Sequence, residues 1–203
     1  VAPYGSAEPL LGTNPISIVI PAGRHPDLVL DMATSLVAKG KISLALKEGK
    51  QIPEGWALDK DGAPTTEPAA ANVGALLPFG QHKGYALCLI VSILSFALSG
   101  ADMDINIPRF FEETERLTNV GYFMGAIDIS KFCPLDVFKD RVDRMFDVIK
   151  SSRPAVGFNG VLIPGELEVN MTQKSLNEGI DLSEATLRDF REMAQTFGVA
   201  YTF

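Results

Sequence analysis

The feature that most constrains this 203-residue chain is an apolar run from Gly84 to Ser99, entered through "FGQHKG" at residues 79–84. A segment that spans a bilayer needs about 20 consecutive apolar residues. This run is shorter, Lys83 and Asp102 bracket it, and the chain has no second one. A membrane partner is therefore not expected. A helix that is apolar around its whole circumference belongs in a protein interior. The run thus predicts a core helix over Tyr85 to Ser99, with the rest of the chain folded around it.

The start of that helix is chemically odd. A lysine at a helix N-terminus opposes the macrodipole, and the first N–H groups there lack intrahelical partners. A bound anion would satisfy the N–H groups and pair with Lys83, while Gly80 and Gly84 would let it approach the backbone. The plainer reading is a lysine that reaches out to water.

Composition narrows the partners. Hydrophobic residues make up 46% and charged residues 21%, with a net charge of −7. No Lys/Arg cluster occurs, so nucleic acid is not an expected partner. Cys88 and Cys133 form no CxxC pair, which argues against a zinc site or a disulfide framework. Two reduced cysteines suit a cytoplasmic location, and no metal is expected. The chain opens on "VAPYGSAEPLLGTNP", which reads like the interior of a longer protein.

Along the chain, "NPISIVIP" at residues 14–21 predicts a strand. A turn at "GRHPD" and a second strand, Leu28 to Leu30, follow. Asp31 would then stand at a strand-to-helix junction, with residues 33–50 helical. There it would either cap that helix or, with Met32, Ala33, Thr34 and Ser35, line a ligand site at the strand edge. Residues 51–78 read as a long irregular loop. Residues 100–119 read as a polar connection with an acidic patch. "VGYFMGAIDIS" at residues 120–130 predicts a strand. From Pro134, the spacing of Leu135, Phe138, Val142, Met145 and Ile149 predicts an amphipathic helix. "VGFNGVLIPGELE" predicts a short strand and a Pro164-Gly165 turn. Ser183, flanked by a Leu182–Leu187 staple, predicts the cap of a last helix that stops at Gly198.

The chain contains no G-x-G-x-x-G, G-x-S-x-G or H-E-x-x-H motif. His25 reads as a surface residue, and His82 as a residue that could touch a ligand. The fold expected is α/β (α+β): a mixed, largely antiparallel sheet flanked by helices, not of Rossmann type, in one domain over residues 1–203.

Seven segments in order, "GTNPISIVIP", "LVLDMATS", "KGKI", "IPEGWALDKDGAPTTEP", "LLPFGQHKGYAL", "NVGYFMGAID" and "IPGE", resemble the malate/L-lactate dehydrogenase family, which is distinct from Rossmann-type dehydrogenases. The resemblance runs from about Gly12 to Gly198. It implies an oxidoreductase that moves hydride between NAD or NADP and a small 2-oxo or 2-hydroxy acid, or a cyclic imine acid, in a homodimer. It further implies cofactor contacts at Asp31, Met32, Ala33, Thr34 and Ser35, at Lys83 and Gly84, and at Gly165, Glu166 and Leu167. The family's catalytic histidine lies in a Ser-His-Gly segment that this sequence lacks, so no catalytic residue is expected here and the chain alone is expected to be inactive. The rival reading is a nucleotide- or anion-binding module with no chemistry of its own.

Overall fold

A computed structural model describes residues 1–108 and 115–201. The acidic patch lies partly at residues 109–114, outside the described residues. Two small antiparallel sheets and six α-helices make up the described fold. The antiparallel, non-Rossmann expectation holds, but the strands form two sheets and not one mixed sheet.

The first sheet pairs β1 (Ile16–Ile20) with β2 (Leu28–Met32), Ser17 opposite Asp31 and Val19 opposite Val29. The second strand therefore runs two residues further than predicted. Asp31 lies inside it, so it caps no helix. Residues 33–38 are not helical, and α1 covers only Lys39–Glu48, ending on Gly49 in the left-handed region. The reason is tertiary: Thr34 and Leu36 give their backbone groups to segments distant in the chain, as set out below.

The stretch expected to be one loop contains β3 (Ala57–Leu58), β4 (Pro64–Thr65), α2 (Pro68–Val73) and β5 (Ala75–Leu76), with the strands in the order β4-β3-β5. It holds much of the core. Ile42 of α1 is fully buried, against Val37, Ile52, Ala57, Ala71 and Leu76, with Trp56 packed on the cluster. Burying one such isoleucine contributes about 1.5–3 kcal/mol.

Helix α3 (His82–Phe96) forms where the apolar run predicts, but it is buried on one stripe only. Gly84, Cys88 and Ser92 face inward, while Ile90 and Ile93 are 54% and 47% exposed. The inward stripe packs on the Gly12–Asn14 segment. Asn14 Nδ2 donates to the Cys88 carbonyl at 3.3 Å, and the Asp104 carboxylate accepts from Gly12 N, Asn14 Nδ2 and Ser92 Oγ at 2.9–3.1 Å.

Helix α4 (Leu135–Lys150) confirms the predicted amphipathic segment, with one shift of face. Phe146 is buried against Ala22 and Ile163, whereas Met145 is 61% exposed. The predicted strands at residues 120–130 and 156–163 do not form. Their β-prone side chains are there, but a strand needs a neighbour for its N–H and C=O groups, and none pairs with them among the described residues. Helix α5 (Glu166–Glu178) was not predicted. Helix α6 (Glu184–Phe197) starts as expected, with Ser183 Oγ accepting from Thr186 N at 3.1 Å, and ends on Gly198.

Candidate functional site

The "DMATS" segment is the hub of the site. After β2 ends, Thr34 N donates to the Thr13 carbonyl at 2.8 Å, and Phe79 N donates to the Thr34 carbonyl at 3.1 Å. Leu36 N donates to the Leu77 carbonyl at 2.8 Å, and Ser35 bridges Pro78. The segment is thus laced to the residues that lead straight into α3. Thr34 and Ser35 are buried, and their hydroxyls donate to the carbonyls of Thr13 and Val37. Asp31 is exposed, while Met32 and Ala33 are half-buried.

The start of α3 turns sharply. Gln81 adopts φ 57° at the cap, no side chain caps the helix, and its first turn carries no acidic residue. Gly84 is needed here, because a β-carbon at this position would overlap the Phe79 carbonyl oxygen. His82 and Lys83 are exposed, and the His82 ring meets Tyr4 edge-on at 5.8 Å.

On the other side of β2, Val29 N donates to the Pro164 carbonyl at 3.0 Å. Gly165, at φ 96°, begins α5 there. A cavity of about 470 Å³ opens between β2 and α5, lined by Val29, Asp31, Gly165, Glu168, Val169, Thr172 and Gln173. That size falls within the range of small-molecule pockets.

Two of the three predicted patches therefore meet in one cavity, through Asp31 and Gly165. The third, Lys83 and Gly84, is tied to the first by the Thr34–Phe79 hydrogen bond but does not line the cavity. Neither do Glu166 and Leu167. Sequence reasoning missed Glu168, Thr172 and Gln173, because "IPGELE" reads as a bare turn. The available signal was the pair Glu166 and Glu168 directly after a glycine, an acidic first turn of the kind that marks a helix start.

Helix α4 carries a cluster of charged contacts to the β1–β2 turn and to α5. Asp143, 3% exposed, accepts from the backbone N–H groups of Gly23, Arg24 and His25 at 3.0, 2.8 and 3.3 Å. Burial alone would raise its pKa, yet those three donors and the Arg24 charge hold it below the usual carboxylate range. Hydrogen bonds from Arg24 and His25, each 2.7 Å long, lower the pKa of Asp147. His25 is therefore not a plain surface residue: it pairs with Asp147 and packs edge-on against Phe146. Glu166 accepts from Ile163 N at 2.9 Å and from Lys150 Nζ at 2.5 and 2.7 Å. Burial pushes its pKa up, but Lys150 and the Ile163 N–H outweigh that and depress it.

An antiparallel strand edge, a glycine turn and a helix flank, gathered around an acidic cleft, define an α/β protein of non-Rossmann type. More particularly, the chain belongs to the malate/L-lactate dehydrogenase family, whose sequence model matches residues 1–191. It is 41% identical over 199 residues to the L-sulfolactate dehydrogenase of Methanocaldococcus jannaschii, covering 98% of this chain and 56% of that protein. The solved structure of sulfolactate dehydrogenase from that organism superposes with a TM-score of 0.82 over the same shares of the two chains. The (2R)-3-sulfolactate dehydrogenase (NADP(+)) of Chromohalobacter salexigens is 36% identical, over 96% of this chain and 56% of its own length. The ureidoglycolate dehydrogenase (NAD(+)) of Escherichia coli O157:H7 is 34% identical, over 90% of this chain and 52% of its own length. The chain thus spans just over half the length of these relatives.

Proposed function

We propose that this chain is the cofactor-binding portion of an NAD- or NADP-dependent dehydrogenase or reductase acting on a small 2-hydroxy or 2-oxo acid, or on a cyclic imine acid. The observation that carries this reading is the meeting of Asp31 and Gly165 across one cavity, in a chain whose relatives are named as hydroxy-acid dehydrogenases and, in one case, as a pyrroline- and piperideine-2-carboxylate reductase. The residues fit a nicotinamide dinucleotide. Asp31 and Glu168 can accept from ribose hydroxyls or a carboxamide, and Thr172 and Gln173 add donors.

In this reading Asp31, Met32, Ala33, Thr34 and Ser35 form the central contact. The Thr34 hydroxyl and both its backbone groups are engaged, so Thr34 acts by holding the segment in shape, and Ser35, whose hydroxyl is engaged, acts through its backbone. Gly165, Glu166 and Leu167 present the start of α5. Lys83 and Gly84 take a phosphate at the uncapped start of α3, where the dipole and the lysine charge both favour an anion. When bound, the cofactor supplies or accepts the hydride. The chain's own task is to hold the nucleotide and fix its orientation. No catalytic acid is assigned to it: His25 is held by Asp147, and His82 lies against Tyr4. The same two placements favour the second reading, a nucleotide-binding module that does no chemistry alone. Cytoplasmic location fits two unpaired cysteines, Cys88 buried, and the assembly proposed is a homodimer.

Titration with NADH and NADPH, followed by nucleotide fluorescence, tests this. Saturable binding is expected, weakened several-fold in Lys83→Ala. Binding of neither nucleotide would overturn the cofactor reading, and undiminished binding by Lys83→Ala would remove the phosphate role. Steady turnover of a 2-oxo acid by this chain alone would refute the assignment of no catalytic residue.

A further inference from the structure

Three residues on one face of α4 reach the two elements that carry the walls of the cavity. Asp143 and Asp147 grip the turn that joins β1 to β2, through the three backbone N–H groups of Gly23–His25 and through the side chains of Arg24 and His25. One turn further on, Lys150 grips Glu166, the first residue of α5. The spacing of 143, 147 and 150 puts all three on the same side of the helix. The β1–β2 hairpin carries Val29 and Asp31, one wall. Helix α5 carries Glu168, Val169, Thr172 and Gln173, the other. Helix α4 is therefore fastened by ionic hydrogen bonds to the two elements that form the walls.

The fastening to α5 is well sheltered for an ion pair. The Glu166 side chain is 13% exposed and that of Lys150 35%. One Glu166 oxygen also accepts from Ile163 N. Both oxygens are thus in use within the protein, and neither lines the cavity.

We infer that Lys150 and Glu166 are positioning residues for the bound nucleotide. Their ion pair sets the distance between β2 and α5, and the Glu166 carboxylate acts through Lys150 and the Ile163 N–H, without touching the cofactor itself. The inference rests on the cofactor reading given above.

A double-mutant cycle tests it, using Lys150→Met, Glu166→Gln and the double variant in the full 203-residue chain. The Kd for NADH or NADPH, whichever the parent binds more tightly, is measured beside the thermal midpoint. Each single variant should weaken binding about fivefold, and the double variant should be no weaker than the worse single one, as for two residues that act as one unit. Lys150→Arg keeps the pair and should bind within about twofold of the parent. The proposal is overturned if Lys150→Met binds like the parent while Glu166→Gln does not, since Glu166 would then be a direct ligand. It is also overturned if the two effects add, if Lys150→Arg fails to restore binding, or if the thermal midpoint falls while Kd stays fixed. Failure of the parent to bind either nucleotide would instead sink the cofactor reading, and the positioning role with it, before any variant is compared.

Discussion

Gly165 packs directly against Val29. A β-carbon at position 165 would stand 3.0 Å from the Val29 Cβ and 3.1 Å from its backbone nitrogen. Position 165 also has φ 96°, a backbone region that side chains rarely adopt. Gly165→Ala should therefore destabilise the fold by about 1–3 kcal/mol and push α5 away from β2. Denaturant unfolding together with nucleotide titration checks both effects. An alanine variant of parental stability would show that this contact does not set the junction.

Gly84→Ala sets two effects against each other. Alanine is the better helix former by about 1 kcal/mol, but its methyl group would overlap the Phe79 carbonyl oxygen. The clash should win, because the obstacle is backbone anchored through Phe79 N to Thr34. A lowered thermal midpoint is expected, and a raised one would mean that the turn at residues 79–81 yields easily.

Acid should loosen the fold through Asp143, Asp147 and Glu166. All three have folded-state pKa values below their ordinary ones. Above the unfolded carboxylate values, about 4, each is ionised in both states and its full stabilisation is present. As pH falls through the lower, folded-state values, the unfolded chain takes up protons more readily and that stabilisation is lost. Unfolding midpoints should thus hold steady from pH 7 to about 5 and drop steeply below about 4. Asp143→Asn should be less stable at pH 7 and show a shallower acid slope. An unchanged slope would remove Asp143 from the account.

Cofactor preference should follow the charge of the cavity. Its lining holds Asp31 and Glu168 and no lysine or arginine. An additional phosphate brings about −1.5 to −2 charges at neutral pH. NADH should therefore bind more tightly than NADPH, and Asp31→Asn should narrow the gap. Equal affinities in the parent, or a gap unchanged in the variant, would count against it.

What could be read from the sequence depended on where the information resides. The α4 stripe and the Ser183 cap are local signals, and both elements form where they predict. Strands β1 and β2 were legible from a β-rich run bounded by prolines, the turn residues and the apolar run after them. Helix α1 was drawn too long because hydrophobic spacing cannot show that Thr34 and Leu36 spend their backbone groups on Thr13, Phe79 and Leu77. The segments at residues 120–130 and 156–163 show that β-propensity states what would suit a strand and says nothing of whether a neighbour exists. In the site, the resemblance marked Asp31 and Gly165, which meet. It could not reveal that Glu166 is engaged by Lys150, or that α4 holds the β1–β2 turn, since these contacts join residues far apart in the chain.

That distance bears on how the molecule is built. Gly23 and the Asp143 that holds it are 120 residues apart. Strands β1 and β2 are close neighbours and can zip together soon after they leave the ribosome. Their turn stays untethered until α4 has been synthesised and folded. Any truncation that stops short of residue 143 would leave Asp31 on a hairpin held at its base by Phe79 and Leu77 but without the anchor of its turn. The order of synthesis thus makes the hairpin first and its anchor late.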